Sequence, residues 1–320
     1  MAFGRNHCFT AAIPFTSDTA LTASKTQFFN PETVTWDVSQ NGAVCGSGCA
    51  SAGTSTNPIY VTLAPNVMPA GAQPLMLTYV SLAVVSGGAT SATAAISTTW
   101  QQFSTGSGPA NVKTWDGRSM FYYAPGVGFE SCSTSSEPLV EGNGVITGNT
   151  VSGQCGAFEW LLESVLAANG IYSNYIDVAA TDGSLMVTDT WTLSGTPTFP
   201  SQAPWEYKLL LNVGDYMVPL PSAFGDLGYA TGIAGQGNAQ PSEKVFNSHY
   251  IVQIPSASGN QYYDPSYGVT YPSAAGFELQ SVQGYAKSIG DPAGQYHFRK
   301  AISPPLAPNI TFTVNTSFSM

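Results

Sequence analysis

The sequence predicts an α+β chain with a β-rich, sandwich-like N-terminal region. Three observations carry that expectation. Apolar and polar or branched residues alternate with period two in residues 33–38 (TVTWDV) and 59–63 (IYVTL), each run bounded by Asn, Gly, Ser or Pro. In mid-chain, Phe158, Leu161, Leu162, Val165 and Leu166 recur at helical spacing and form one apolar stripe. Strand patterns then return after Gly170 and continue to the end of the chain.

After the two early strands, residues 75–85 (LMLTYVSLAVV) are apolar on both faces, which fits either a buried strand or a helix. Residues 89–103 are Ala-rich and end with Trp100 and Phe103 at i and i+3, predicting a short helix. Residues 112–123 (VKTWDGRSMFYY) predict a hairpin, because Asp116-Gly117 between β-rich arms favours a tight type I′ turn. The mid-chain helix runs on from Glu159, with Gly170 placed to end it. Strands follow at 175–179, 185–193, 207–211, 249–254 (HYIVQI) and 261–264 (QYYD). A Gly-rich stretch at 222–244 has no period and is long enough to be functional or mobile, and 310–318 alternates as a terminal strand that can rejoin a sheet.

Composition narrows the functional classes. Charged residues make up 9% of the chain, far below the roughly 25% of typical soluble proteins, and Lys and Arg number only nine against a net charge of −10. No basic stripe exists for phosphate contacts, so nucleic acid and anionic membranes are poor partners. No apolar run reaches the roughly 18 residues that membrane insertion by a helix requires. Residues 1–15 hold a single Arg and a short apolar stretch broken by Pro14, a poor signal peptide.

There are five cysteines. Cys8, Cys45, Cys49 and Cys132 can form two disulfides in three connectivities, which suits an extracellular or cell-surface location; a zinc site drawing on His7 and Cys8 is the weaker alternative. Cys155 is the odd thiol. It stands near the first turn of the mid-chain helix, where unpaired backbone N–H groups and the helix dipole favour negative charge. Gly153 and Gly156 let a substrate approach the backbone, and the Cys155 N–H can serve as an oxyanion donor. A lone cysteine at a helix start is more often a packing residue or half of a disulfide.

His249 changes that balance. It begins the strand HYIVQI, with His249, Ile251 and Gln253 on one face, and the turn PSASGN leads back into QYYD. Any near-symmetric register brings Asp264 close enough to accept an imidazole N–H and fix its tautomer. Cysteine, histidine and aspartate then stand as nucleophile, base and orienting carboxylate.

The segments GQCGAFEWLLESVLAANGI, NSHYIVQI and YYDPSYG resemble the three core motifs of the transglutaminase-like superfamily of papain-fold cysteine enzymes. The resemblance implies a papain-like, transglutaminase-type core over residues 73–305, between a β-rich region at 1–72 and a C-terminal strand at 306–320. It implies catalytic roles for Cys155, His249 and Asp264 in thiol-dependent acyl transfer or amide hydrolysis on a protein or peptide substrate. No cofactor and no metal take part in that chemistry, although some members of the superfamily bind calcium. Where such enzymes often carry Trp soon after the cysteine, this chain has Gly156, Ala157 and Phe158, with Trp160 later. The competing expectation is an extracellular structural or surface-assembly protein that keeps the fold without turnover and associates with itself.

Overall fold

The computed structural model describes residues 25–36, 39–40, 43–44, 53–68, 77–85, 87–106, 109–122, 150–153, 155–188, 208–210, 233–237, 241–243, 245–246, 248–256, 259–288, 296–300 and 308–315. In chain order the elements are β1 (Gln27–Trp36), β2 (Ser39–Gln40), β3 (Ala43–Val44), β4 (Gly53–Val61), α1 (Leu77–Val84), α2 (Ala92–Trp100), β5 (Ser119–Tyr122) and β6 (Thr150–Gly153). They continue with α3 (Cys155–Ala168), β7 (Asn174–Ala180), β8 (Leu185–Thr188), β9 (Lys208–Leu210), β10 (Ile233–Ala234), β11 (Pro241–Glu243), β12 (Val245–Phe246) and β13 (His249–Ile254). The last are β14 (Gln261–Asp264), β15 (Val269–Tyr271), α4 (Ala274–Ser281), β16 (Val282–Ser288), β17 (Tyr296–Lys300) and β18 (Ile310–Asn315). The chain is thus a mixed α+β protein.

Two five-stranded antiparallel sheets organise it, one in the order β15-β14-β13-β7-β18 and the other β12-β8-β16-β17-β9. The first carries the site. Its faces are covered by different helices. Trp100 of α2 meets Tyr263 edge-on at 5.0 Å, while Phe277 of α4 packs edge-on against Tyr271 at 4.8 Å and Phe312 at 6.0 Å on the opposite face. Buried Glu278 of α4 ties the layers together, accepting from Tyr285 Oη at 2.6 Å, Asn309 N at 2.9 Å and Asn309 Nδ2 at 2.9 Å. The terminal strand does rejoin this sheet, pairing Ile310↔Ala180 through Asn315↔Tyr175.

Among the described residues of the N-terminal region, β1 pairs with β4 and β2 with β3 as two-stranded sheets. The β1–β4 ribbon is tied to the helical part of the chain at both ends. Thr26 N donates to Ala89 O at 2.9 Å, and Leu63 N donates to Asn169 Oδ1 at 3.1 Å just past α3. Cys8, Cys45, Cys49 and Cys132 lie outside the described residues, as do most of the 222–244 stretch and residues 189–193.

The ambiguous run at 75–85 is a helix. Thr78, Tyr79, Leu82 and Ala83 are buried together at i, i+1, i+4 and i+5, adjacent pairs that one side of a helix holds and a strand would send to opposite faces. The Asp116-Gly117 turn also differs from the tight type I′ form. Gly117 N donates to Thr114 O at 3.0 Å and Thr114 N to Arg118 O at 2.9 Å, with Gly117 at φ +86°. Gly117 therefore occupies the last, left-handed position of a three-residue loop rather than the centre of a two-residue turn. The following strand β5 finds its partner far along the chain, pairing in parallel with β6 from Ser119↔Thr150 to Tyr122↔Gly153.

The periodicity of α3 predicts one buried stripe, yet the helix is buried all round. Only Trp160 is half-buried; Glu159, Glu163 and Ser164 are enclosed with the leucines. A helix whose neighbours lie on every side has no solvent face for its polar residues. Its end follows the sequence signal. Gly170, at φ +73°, donates to Ala167 O at 2.9 Å and Ile171 N to Leu166 O at 3.0 Å, the paired bonds of a left-handed glycine cap.

Candidate active site

Strand β6 delivers the chain directly into α3, and the helix begins at Cys155 itself, not a few residues later. The thiol is free and only 8% exposed. Its first-turn position leaves nearby main-chain N–H groups without intrahelical acceptors.

His249 opens β13, where its pairing with Val178 of β7 fixes the backbone from one side. The imidazole stacks on Tyr267 at 5.2 Å and lies 6.1 Å from Phe277. Its Nε2 is 2.8 Å from Asp264 Oδ2, with the two side chains 1% and 0% exposed.

Asp264 ends β14 and starts the four-residue turn to β15. Asp-Pro at a strand end favours such a turn, and Gly268 at φ +66° closes it. Oδ1 accepts from Ser266 N at 3.1 Å and Tyr267 N at 3.3 Å, so one carboxylate oxygen holds the turn while the other holds the histidine. The Tyr271 hydroxyl is also hydrogen-bonded to Asp264, and Tyr271 is pushed well above the usual tyrosine range by burial and then by the Asp264 charge.

The electrostatics join the three residues. Burial opposes a charged imidazole, but the Asp264 carboxylate beside it and the nearby Cys155 thiol outweigh burial and raise His249 to about 10. The structure therefore brings all three sequence-predicted residues together. Asp177 on β7 also feels His249: burial raises its carboxyl and the histidine charge offsets part of that.

Two acidic residues on α3 gave no functional signal in the sequence. Glu159 stands one turn after Cys155 and Glu163 one turn further. Glu159 is pushed well above the usual carboxylate range by burial, by the neighbouring Glu163 to which it is hydrogen-bonded, and by Cys155. Glu163 accepts from Ser173 Oγ at 3.3 Å. Repetition of Glu at i, i+4 was the only available signal, and that spacing reads equally as a solvated helix face. Among the described residues, no three His, Cys, Asp or Glu side chains converge as metal ligands, and no helix is long and apolar enough to cross a membrane.

Compared with known proteins, the chain matches no family model, no curated protein and no solved structure.

Proposed function

We propose that the protein is a cysteine-nucleophile enzyme of the transglutaminase-like kind, performing acyl transfer or amide hydrolysis on protein or peptide substrates. The observation that carries the reading is the buried His249–Asp264 pair, Nε2 to Oδ2 at 2.8 Å, with the buried Cys155 near enough to raise His249 electrostatically. A helix that starts at the cysteine, beside an antiparallel sheet that carries the histidine and aspartate, supports a papain-like arrangement of the transglutaminase type.

With Nε2 held by Asp264, Nδ1 is the ring nitrogen left to exchange a proton with the thiol. Cys155 Sγ attacks the carbonyl carbon of a Gln side chain or peptide amide, and the thiol proton resides on His249. Main-chain N–H groups at the start of α3 stabilise the oxyanion of the tetrahedral intermediate. Collapse of that intermediate breaks the C–N bond, His249 protonates the departing ammonia or amine, and a thioester remains. An amine or water then attacks the thioester, gives its proton to His249, and Cys155 leaves as thiol once that proton returns. Asp264 orients the ring and stabilises its charged form.

The experiment is to incubate the protein with a Gln-containing protein and a fluorescent amine, beside Cys155→Ala. Thiol-dependent amine incorporation identifies transglutamination, and thiol-dependent fragments or released ammonia identify hydrolysis. If wild type and Cys155→Ala behave alike across a panel of such substrates, the enzymatic reading fails and an assembly role is favoured.

A further inference from the structure

A buried amide outside the Cys-His-Asp set is bonded to the turn that holds the aspartate. Gln236 is 0% exposed. Its Nε2 donates to Phe103 O and to Pro265 O, both at 2.7 Å. Its main-chain N–H donates to Ser266 O at 2.9 Å, and its carbonyl accepts from Tyr122 N at 2.8 Å. Two carbonyl acceptors on one side-chain atom settle which end of the amide is the NH2 group. The side-chain oxygen has no partner among the described residues, a desolvation penalty that an apolar side chain of the same size would avoid. The contribution of Gln236 therefore lies in its two N–H bonds.

The local sequence Gly235-Gln236-Gly237 explains how the chain comes so close. A Cβ at 235 would lie 2.6 Å from Tyr122 Cβ, and one at 237, where φ is +70°, would lie 2.5 Å from Met120 O. The two glycines press the segment against β5 and leave Gln236 to reach across.

Pro265 and Ser266 open the turn in which Asp264 and Tyr267 contact His249. Ser266 N and Tyr267 N hold Asp264 Oδ1, the Tyr267 ring stacks on the imidazole, and Tyr122 backs Tyr267 at 5.1 Å. We infer that Gln236 is a positioning residue for His249: by bridging Phe103 O to Pro265 O it locks the 264–268 turn, so that Asp264 and Tyr267 hold the imidazole in place for Cys155. The catalytic consequence rests on the acyl-transfer reading above; the effect on His249 does not.

The test uses Gln236→Met, which keeps the length of the side chain and removes both donors. The full chain is labelled with isotopic histidine, and the ring signal of His249, one of three histidines, is assigned with His249→Gln. The expected result is a folded variant in which His249 titrates lower by at least about one pH unit. Alkylation of Cys155 by iodoacetamide at pH 7 slows in parallel, by about tenfold or more. An unchanged His249 titration in folded Gln236→Met overturns the inference even if the melting temperature falls, because a purely structural bridge would alter stability alone. Failure of the acyl-transfer reading looks different: Cys155 is inert in the wild type, while the histidine titration still reports on the bridge. If Gln236→Met does not fold, the wild type decides. Both Gln236 carboxamide protons should exchange with solvent as slowly as the Tyr267 amide, and rapid exchange of either overturns the inference.

Discussion

His249 Nε2 and Asp264 Oδ2 lie 2.8 Å apart with the two side chains 1% and 0% exposed, so the pair is both a structural and a chemical unit. Because His249 is raised to about 10 in the folded protein, its charged form is stabilised relative to the unfolded chain, where it titrates near the ordinary value of about 6.5. That stabilisation is fully present below the unfolded value and is lost as pH rises through the folded one. The stability difference between wild type and His249→Gln, measured by urea denaturation, should be largest below about pH 6.5 and shrink toward about pH 10. A difference that is flat or grows with pH contradicts the pairing.

Asp264→Asn keeps the shape of the side chain and removes the charge that fixes the imidazole. Substrate turnover, once a substrate is found, should fall by about 10²-fold or more, with binding of the substrate much less affected. Because Asp264 also accepts from Ser266 N and Tyr267 N, Asp264→Ala should in addition loosen the turn and lower the melting temperature. A full rate in Asp264→Asn would remove the aspartate from the mechanism.

Glu159 gives the opposite linkage from a stabilising carboxylate. Its raised folded value means that it favours the native state below the ordinary carboxylate value, and that this contribution is lost as pH rises. Glu159→Gln mimics the protonated form and should stabilise the protein at pH 8 by about 1–3 kcal/mol, with little effect at pH 4. Reduced stability at pH 8, read from paired urea titrations, would contradict the buried carboxyl pair.

Gly170→Ala tests the end of α3. The residue sits at φ +73°, and a Cβ there would lie 2.6 Å from Ala64 Cβ and 2.9 Å from Pro65 O. Both strain and overlap act together, so destabilisation of about 1–3 kcal/mol is expected in chemical denaturation. An unaffected midpoint would mean that the 62–68 segment does not pack against the cap.

These residues also mark how far local sequence carries the structure. The strands at 249–254 and 261–264 and the stop at Gly170 were legible because period and glycine position are local properties. The meeting of His249 with Asp264 was legible for the same reason, since one short hairpin joins them. The burial of Glu159 and Glu163 was not, because it depends on neighbours closing around α3 from distant parts of the chain. The same holds for Gln236, whose partners Phe103 and Pro265 lie 133 and 29 residues away. Asp116-Gly117 shows a third limit: one dipeptide serves either a two-residue turn or a three-residue loop, and the flanking backbone decides between them.

The central claim is that His249 activates Cys155, and the most direct measurement is the rate at which iodoacetamide alkylates Cys155 in the native protein, read by mass spectrometry of the Cys155 peptide from pH 5 to 9. The account predicts alkylation already at pH 6 to 7 in wild type, slowed by about tenfold or more in His249→Gln. A native Cys155 that resists alkylation at every pH, or that reacts at the same rate with and without His249, would contradict it.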